Sequence, residues 1–206
     1  MKKTNNFKKK KIILLIITCI LFTLLSILTL NNKLITLDNL THNFILSIRC
    51  NNLTNILKII TNTATSYTLI ILTIILLIFI KNKKIPTSIA INLTLSFITN
   101  EIAKNIFTRT RPLGINLIEE TSYSYPSGHS MVGLAYYGFL IYLINKYIKN
   151  KKIKNIFSIT LILNILLVGF SRIYLGVHYL TDVIGGFLLS IIYLTLFIKC
   201  VPLEKK

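Results

Sequence analysis

Residues 12–30 read IILLIITCILFTLLSILTL, a run of 19 residues without a charged side chain. A helix of this length spans the apolar layer of a lipid bilayer, which is about 30 Å thick. Six lysines lie within residues 2–11, and the run is followed by Asn31, Asn32 and Lys33 with no small-residue cleavage motif. We therefore expect an uncleaved first transmembrane helix and not a removed signal peptide.

The composition of the whole chain agrees with a membrane location. Of the 206 residues, 53% are hydrophobic and 15% are charged, whereas about a quarter of a soluble domain is charged. This hydrophobicity excludes a disordered chain, and it argues against a soluble nucleic-acid-binding protein despite the net charge of +18. The three cysteines, Cys19, Cys50 and Cys200, are scattered singly, which indicates neither a disulfide framework nor a metal site.

Five further apolar segments approach the length of a membrane span. They run roughly over residues 64–80, 85–103, 129–148, 156–176 and 178–198. The pattern predicts an all-α integral membrane protein, in which a bundle of six transmembrane helices forms a single domain over residues 1–206. Segment 85–103 is the most polar of the five. We expect its polar side chains to face the bundle interior; they are Asn92, Thr94, Ser96, Thr99 and Asn100.

Segment 31–63 separates the first two predicted spans. Within it, Leu53, Ile56, Leu57 and Ile60 recur at helical spacing, with polar residues between them. Two structures fit this pattern equally well: an interfacial amphipathic helix and an extension of the second span.

The basic residues predict the topology. With the N-terminus in the cytoplasm, the cytoplasmic segments hold 17 of the 24 basic residues, and all 17 are lysines. This distribution follows the positive-inside rule and places both termini in the cytoplasm. The outer segments hold seven basic residues, including all four arginines. Most of the net charge therefore records membrane orientation, and it needs no acidic macromolecular partner.

Three polar clusters lie at predicted outer membrane boundaries. Residues 104–112 contain Lys-x6-Arg-Pro, residues 125–129 read Tyr-Pro-Ser-Gly-His, and residues 171–182 contain Ser-Arg-x5-His-x3-Asp. Lys104, Arg111 and Arg172 can neutralise a phosphate dianion, since each guanidinium binds two oxygens. The second cluster precedes a predicted helix, whose N-terminal amides favour an anion. Together the clusters predict a phosphate site at the outer face.

The same clusters contain candidate catalytic groups. His178 and Asp182 are four residues apart, so on a helix they would share a face. Asp182 would then hold the imidazole in one tautomer and leave the other nitrogen as a nucleophile, while His129 would act as general acid. These three residues could also bind a metal by type, but the neighbouring cations oppose a metal ion. We therefore expect neither a metal nor a cofactor.

Each cluster also has an ordinary structural explanation. Basic residues beside a span often set topology, Pro-Ser-Gly-His can be a turn and helix cap, and Asp182 can form an ordinary helical pair with His178. Glu119 and Glu120 are expected on a solvated loop face, from which they could tune substrate access.

Taken together, the clusters resemble the three signature motifs of the type 2 phosphatidic acid phosphatase (PAP2) superfamily. All signature residues are present in order and at the family spacing, within residues 104–182. The resemblance implies that His178 forms a phosphohistidine, with Asp182 as its partner and His129 as the acid. It implies a phosphate-binding set made of Lys104, Arg111, Ser127, Gly128, Ser171 and Arg172. Tyr125 stands where family members often have Phe, a departure that could alter substrate choice.

The resemblance also implies an activity, that of a metal-independent lipid phosphatase at the extracytoplasmic face of a plasma membrane. The compact chain and its Ile/Asn/Lys-rich usage favour a bacterial source. The implied substrates are lipid phosphates, with undecaprenyl pyrophosphate favoured over phosphatidylglycerophosphate, phosphatidic acid and diacylglycerol pyrophosphate. Alternatives are a lipid phosphotransferase of the same superfamily and a non-catalytic lipid-binding or transport protein, against which the intact histidines and Asp182 argue. A vanadate-dependent haloperoxidase is disfavoured by the small membrane chain.

Overall fold

The computed structural model describes the backbone of residues 2–113 and 116–201 and the side chains of residues 12–113 and 116–201. Within these ranges the chain forms eight α-helices and no β-strand. The helices are α1 (Lys2–Leu30), α2 (Ile35–Ser47), α3 (Asn51–Asn62), α4 (Ser66–Phe79), α5 (Lys84–Phe107), α6 (Gly128–Tyr147), α7 (Lys151–Tyr174) and α8 (Leu180–Cys200). The all-α fold is therefore confirmed.

The outward faces of the long helices are apolar. Ile20 of α1, Ile78 of α4 and Ile156 of α7 are each 60% to 65% exposed, as expected where lipid replaces water as the solvent. By length and composition three described helices can cross a membrane, namely α1 from Ile12, α7 and α8. A fourth span results if α3 and α4, which are bent by 48° at their junction, cross as one broken helix. The chain is a multi-pass membrane protein, while the count of six spans and the cytoplasmic termini remain predictions.

Helix α6 lies at the centre of the bundle and packs against α5, α7 and α8. Its Tyr136 and Phe139 are fully buried, and the Phe139 ring meets the Phe197 ring of α8 edge-on at 5.2 Å. Between α5 and α6, the side-chain amide of Asn92 donates to the carbonyl of Ala135 at 3.0 Å. Such interhelical hydrogen bonds satisfy polar groups where water is absent. This core holds the ends of α5 and α6 beside the connection between α7 and α8.

The predicted inward orientation of the polar residues of α5 holds for three of the five. Asn92, Ser96 and Asn100 are buried, whereas the prediction is wrong for Thr94, which is exposed, and for Thr99, which is half-buried. The Thr99 hydroxyl donates to the Leu95 carbonyl of its own helix at 2.7 Å. A threonine satisfied in this way needs no partner on another helix.

Segment 31–63 contains two helices, α2 and α3, where one was expected. The helical spacing in α3 is confirmed, with Leu57 buried while Ile56 stays 54% exposed. Arg49, in the turn between the two helices, donates from Nε and Nη2 to the Tyr174 carbonyl at the end of α7, at 3.1 and 2.7 Å. The segment therefore covers the end of the bundle where α7 stops, and α2 presents its buried Asp38 there.

Candidate active site

The three motif clusters meet at one end of the bundle. Arg111, in the loop after α5, places Nη1 3.2 Å from Nε2 of His178, in the connection between α7 and α8. The same Nη1 donates to the Val177 carbonyl at 2.7 Å, and Nε donates to the Ser122 carbonyl at 2.7 Å. Lys104 reaches the same loop, because its Nζ donates to the Ser122 hydroxyl at 2.6 Å. The first and third motifs are thus in direct contact.

Two residues with positive φ shape the loops that carry these groups. Thr108 has a left-handed conformation (φ 46°) and ends α5, so that the chain turns across the end of the bundle. Gly176 has φ 79° in the connection between α7 and α8. Glycine adopts this conformation without the steric cost of a Cβ, and the turn delivers His178 to the site outside either helix.

His178 is 2% exposed, and its two ring nitrogens face different partners. Nε2 faces Arg111, whereas Nδ1 lies 3.5 Å from Oδ2 of Asp182 and 3.4 Å from the Ser124 hydroxyl. Ser124 donates to the same Asp182 oxygen at 2.5 Å, so it bridges the histidine and the carboxylate. This arrangement fits the tautomer with the proton on Nδ1 and a free electron pair on Nε2.

The expectation that His178 and Asp182 share a helix face is wrong. Helix α8 begins at Leu180, so His178 precedes it and Asp182 lies in its first turn. The carboxylate is held by the backbone N–H of Tyr179, which donates to Oδ2 at 2.8 Å. Such an acid at a helix N-terminus satisfies an amide that lacks an intrahelical partner. A helix start, and not helical spacing, therefore brings the pair together.

Burial lowers the pKa of His178 to about 4, and this effect outweighs the opposing influence of Asp182. Arg172 and Arg111 add to the lowering because they repel a protonated imidazole. At neutral pH the ring is therefore uncharged, which a nitrogen nucleophile requires.

Arg172 is the most deeply buried cation of the site. Its side chain is 1% exposed, its Nη1 donates to the Thr61 hydroxyl of α3 at 2.9 Å, and its Nη2 pairs with Glu120. Its Nε is buried and has no hydrogen-bond partner among the described residues. An unpaired buried donor is costly, so this nitrogen is available to an incoming oxyanion.

Comparison with known proteins identifies the family of this chain. A model of the PAP2 superfamily matches residues 85–206, which is more than half of the chain. The chain belongs to the PAP2 superfamily.

Two curated relatives are similar to this PAP2 chain. Phosphatidylglycerophosphatase B of Bacillus subtilis (strain 168) is 40% identical over 95 residues, which are 45% of this chain and 46% of that protein. Undecaprenyl-diphosphatase of Sulfolobus acidocaldarius is 33% identical over 130 residues, 60% of this chain and 59% of that protein. The chain thus spans about half to three-fifths of the length of these relatives.

Two crystal structures share the fold. The first, described as the first transmembrane PAP2 type phosphatidylglycerolphosphate phosphatase from Bacillus subtilis, gives a TM-score of 0.83 at 28% identity and covers 90% of this chain and 94% of that one. Aquifex aeolicus LpxE gives a TM-score of 0.62 at 26% identity and covers 80% and 94%. The likeness to the first covers 90% of the chain and therefore extends beyond residues 85–206, which the family model matches.

Glu120 lies within the cation cluster of the site, which consists of Lys104, Arg111 and Arg172. It pairs with Arg172 and lies 3.7 Å from Nη2 of Arg111. Burial raises the pKa of Glu120, but Arg172 and Arg111 outweigh burial and hold it below its ordinary value. The expectation of a solvated loop face is therefore wrong for Glu120, whereas the exposure of Glu119 confirms it there.

Three cavities adjoin this carboxylate. A cavity of about 560 Å³ opens under the loop and is lined by Lys104, Arg109 and Arg111. One of about 160 Å³ lies between α4, α5 and α6 and reaches His129. One of about 370 Å³ is lined by His129 and Arg172. Glu120 borders all three, so its side chain lies between the cations and the two cavities that reach His129.

The small residues of the predicted phosphate-binding set are Ser127, Gly128 and Ser171. The Ser127 hydroxyl is buried and accepts from Ser130 at 3.1 Å, and the Ser171 hydroxyl donates to the Val168 carbonyl at 2.6 Å. The Ser171 hydroxyl would have to turn to donate to a phosphate, whereas the Ser127 hydroxyl accepts its bond and keeps its own proton for a further acceptor. A Cβ at Gly128 would stand 3.0 Å from Oδ1 of Asn100, so glycine here permits the close approach of α6 to α5.

Tyr125, the departure from the usual family residue, points away from these cavities. Its hydroxyl is 2.8 Å from the Ser26 hydroxyl of α1, and its ring packs edge-on against Phe107 at 5.0 Å. The extra hydroxyl of this PAP2 chain therefore connects α1 to the second motif. Its predicted effect on substrate choice would have to be indirect.

Three contributors were missed at the sequence level. Ser124 bridges His178 and Asp182, and Arg109 binds Asp182 together with Asp38 of α2. Asp38 did give a signal, because it is the only acidic residue among the first 100.

Proposed function

We propose that this protein is a lipid phosphatase of a bacterial plasma membrane, which cleaves lipid phosphates or pyrophosphates through a phosphohistidine at His178. One observation carries the proposal. The buried Nε2 of His178 faces a cation cluster in which Nε of Arg172 has no partner among the described residues. Phosphoryl transfer requires a nucleophile beside cations that can bind the phosphate oxygens.

The cations fit a phosphate dianion. Arg172 offers Nε and, once Glu120 is displaced, Nη2 as a two-pronged donor. Arg111 lies on the side of the nucleophile, and Lys104 can exchange Ser122 for a phosphate oxygen. Charge-assisted hydrogen bonds of this kind are stronger than neutral ones, and they stabilise the charge that spreads over the equatorial oxygens during transfer.

The reaction then proceeds in two steps. Nε2 of His178 forms a bond to phosphorus while the bond from phosphorus to the leaving oxygen breaks, and His129 gives that oxygen its proton. In the second step His129 takes a proton from water, the water oxygen attacks phosphorus, and the phosphorus–nitrogen bond breaks. Inorganic phosphate leaves and the His178 imidazole is restored. Asp182 stabilises the positive charge on the phosphorylated ring throughout.

The small cavity between the helices supports a lipid substrate. It is lined by Phe97 and Val132 as well as by Lys104 and His129, so an apolar group can lie beside the cations. A headgroup in the site would leave its tail among the apolar helix faces. The extracytoplasmic location follows from the predicted topology, in which all four arginines lie outside.

The proposal is tested by phosphate release from a panel of lipids in detergent micelles. The panel contains undecaprenyl pyrophosphate, which we propose as the preferred substrate, phosphatidylglycerophosphate, phosphatidic acid and diacylglycerol pyrophosphate. We expect release that persists in excess chelator, with water and not a second lipid as the acceptor. No release from any of the four lipids would overturn the phosphatase assignment, and transfer to lipid would favour the phosphotransferase.

Replacing the carboxylate that occupies the cation cluster should strengthen product binding. In Glu120→Gln the ion pairs with Arg172 and Arg111 are lost, so phosphate no longer competes with a charged side chain. We expect the inhibition constant of inorganic phosphate to fall by roughly 3- to 10-fold, since an ion pair of this kind is worth about 1 kcal/mol. Glu119→Gln makes the same charge change at an exposed neighbour and should leave the constant unchanged. An equal effect of both variants would show that only overall charge matters.

The lowered pKa of His178 gives a second test. The protein has three histidines, so NMR of labelled protein in micelles yields three imidazole titrations, assigned by single substitutions. Because the pKa of His178 is about 4, its ring should stay neutral from pH 8 down to pH 5 and gain its proton only below that. Titration of His178 at or above the ordinary value for histidine, about 6.5, would contradict the buried environment described here.

A further inference from the structure

The Arg109 guanidinium joins two buried carboxylates from different helices. Its Nη1 donates to Oδ1 of Asp182 at 2.5 Å, and its Nη2 donates to Oδ2 of Asp38 at 2.7 Å. Asp182 is 0% exposed and Asp38 is 1% exposed. Arg109 fills an unspecified position of the Lys-x6-Arg-Pro motif, and Asp38 lies outside all three motifs.

Thr181 completes the connection. Its backbone N–H donates to Oδ1 of Asp38 at 3.1 Å, and its hydroxyl lies 2.7 Å from Oδ2 of Asp38 and from Nη1 of Arg109. The Asp38 carboxylate thus receives hydrogen bonds on both oxygens. Burial lowers the pKa of Arg109, but Asp182 and Asp38 outweigh burial and raise it overall. The guanidinium therefore stays charged, as two buried carboxylates require.

The two oxygens of Asp182 have separate partners. Oδ1 is held by Arg109, while Oδ2 faces Nδ1 of His178 and accepts from Ser124 and the Tyr179 N–H. Rotation of the carboxylate would break contacts on both sides. The orientation of the carboxylate toward the nucleophile therefore depends on a cation bound to Oδ1, the oxygen of Asp182 that does not face His178.

We propose that Arg109, anchored by Asp38 of α2, is a positioning residue that holds Asp182 ionised and oriented toward His178 during phosphoryl transfer. The proposal rests on the proposed function, since it assigns a role within that reaction. It also assigns a role to segment 31–63, because α2 carries Asp38, which anchors Arg109. Loss of the Arg109 contact should slow the chemical step, in which the phosphorylated imidazole becomes positively charged. It should not weaken binding of the phosphate.

The test compares Arg109→Lys and Asp38→Asn with the wild type. A lysine keeps one charge but cannot bridge two carboxylates in a fixed geometry, and Asp38→Asn keeps the size of the anchor while removing its charge. We expect kcat to fall roughly 10- to 100-fold in each, as for other residues that orient a catalytic group, with KM and the inhibition constant of inorganic phosphate within about threefold of wild type.

Two further measurements separate positioning from folding. In Arg109→Ala, millimolar guanidinium ion should restore part of kcat, because the free ion can occupy the vacated position. The double variant Arg109→Ala/Asp38→Ala should be no slower than Arg109→Ala alone, since Asp38 acts through Arg109. Arg49→Lys is the matched control, because Arg49 is also a half-buried loop arginine but contacts Tyr174 and not Asp182.

The outcomes distinguish this inference from the proposed function. Wild-type protein without phosphatase activity on any lipid would overturn the proposed function. An active wild type with unchanged kcat in Arg109→Lys and Asp38→Asn would overturn only the role of Arg109. Parallel loss of kcat and of phosphate binding in both variants, with no guanidinium rescue of Arg109→Ala, would also overturn it, because the residue would then serve only the fold.

Discussion

We expect His178→Ala to lose phosphate release from lipid substrates by at least about 10⁴-fold, the scale on which removal of a catalytic nucleophile acts. The reason is geometric. Nε2 of His178 is the ring nitrogen that faces Arg111 at 3.2 Å, and alanine leaves no group to form the covalent intermediate. The measurement is phosphate release by purified protein from the most active lipid of the panel.

His42→Ala is the matched control for this substitution. His42 lies on α2 outside the cation cluster and is half-buried, so its loss should leave turnover within about twofold of wild type, as for most substitutions away from a site. The inhibition constant of inorganic phosphate should be nearly unchanged in His178→Ala if the variant folds, because Lys104 and Arg172 remain. Undiminished turnover in folded His178→Ala would refute the nucleophile assignment.

The second large effect is expected for His129→Gln, and it should depend on the leaving group. His129 borders two of the cavities that meet at Glu120, and its proposed task is to protonate the departing oxygen. Loss of a general acid costs about 10²- to 10⁴-fold when the leaving group is an alkoxide, as in phosphatidic acid. We expect that loss for phosphatidic acid and a much smaller one for p-nitrophenyl phosphate, whose leaving group departs without a proton.

The measurement is the rate of phosphoenzyme formation in a single turnover, since His129 is also proposed to activate water in the second step. Wild-type protein with both substrates provides the reference ratio. An equal loss for the two substrates would show that His129 does not act on the leaving oxygen, and would leave it a role in binding alone.

Much of the helical framework could be predicted because the bilayer imposes a length on each apolar run. The prediction of a helix over 129–148 corresponds to α6 at Gly128–Tyr147, and that over 178–198 to α8 at Leu180–Cys200. Polar residues within α5 were harder to orient. Threonine satisfies its hydroxyl on its own helix, so it gives no information about the bundle interior.

The motif residues could be predicted because they lie close together in three short segments, but their connections could not. Asp38 and Arg109 are 71 positions apart, and Arg109 and Asp182 are 73 apart. The spacing of residues in the sequence indicates which side chains contact each other within one helix. It gives no information about contacts between elements that are far apart in the chain. The prediction for Glu120 was wrong for a related reason. A loop residue has no periodicity in the sequence, and the position of this side chain depends on Arg172, which only the fold brings close to it.

The central claim is that phosphate passes through His178, and the most direct measurement is the location of the phosphoryl group on the enzyme. p-Nitrophenyl phosphate with a labelled phosphoryl group, whose leaving group departs without a proton, is mixed with His129→Gln protein, in which the intermediate should accumulate because water is poorly activated. The reaction is quenched in alkaline detergent and the protein is mapped by mass spectrometry. We predict label on His178, and none in His129→Gln/His178→Ala. Label on another residue, or phosphate release without labelled enzyme, would contradict the account.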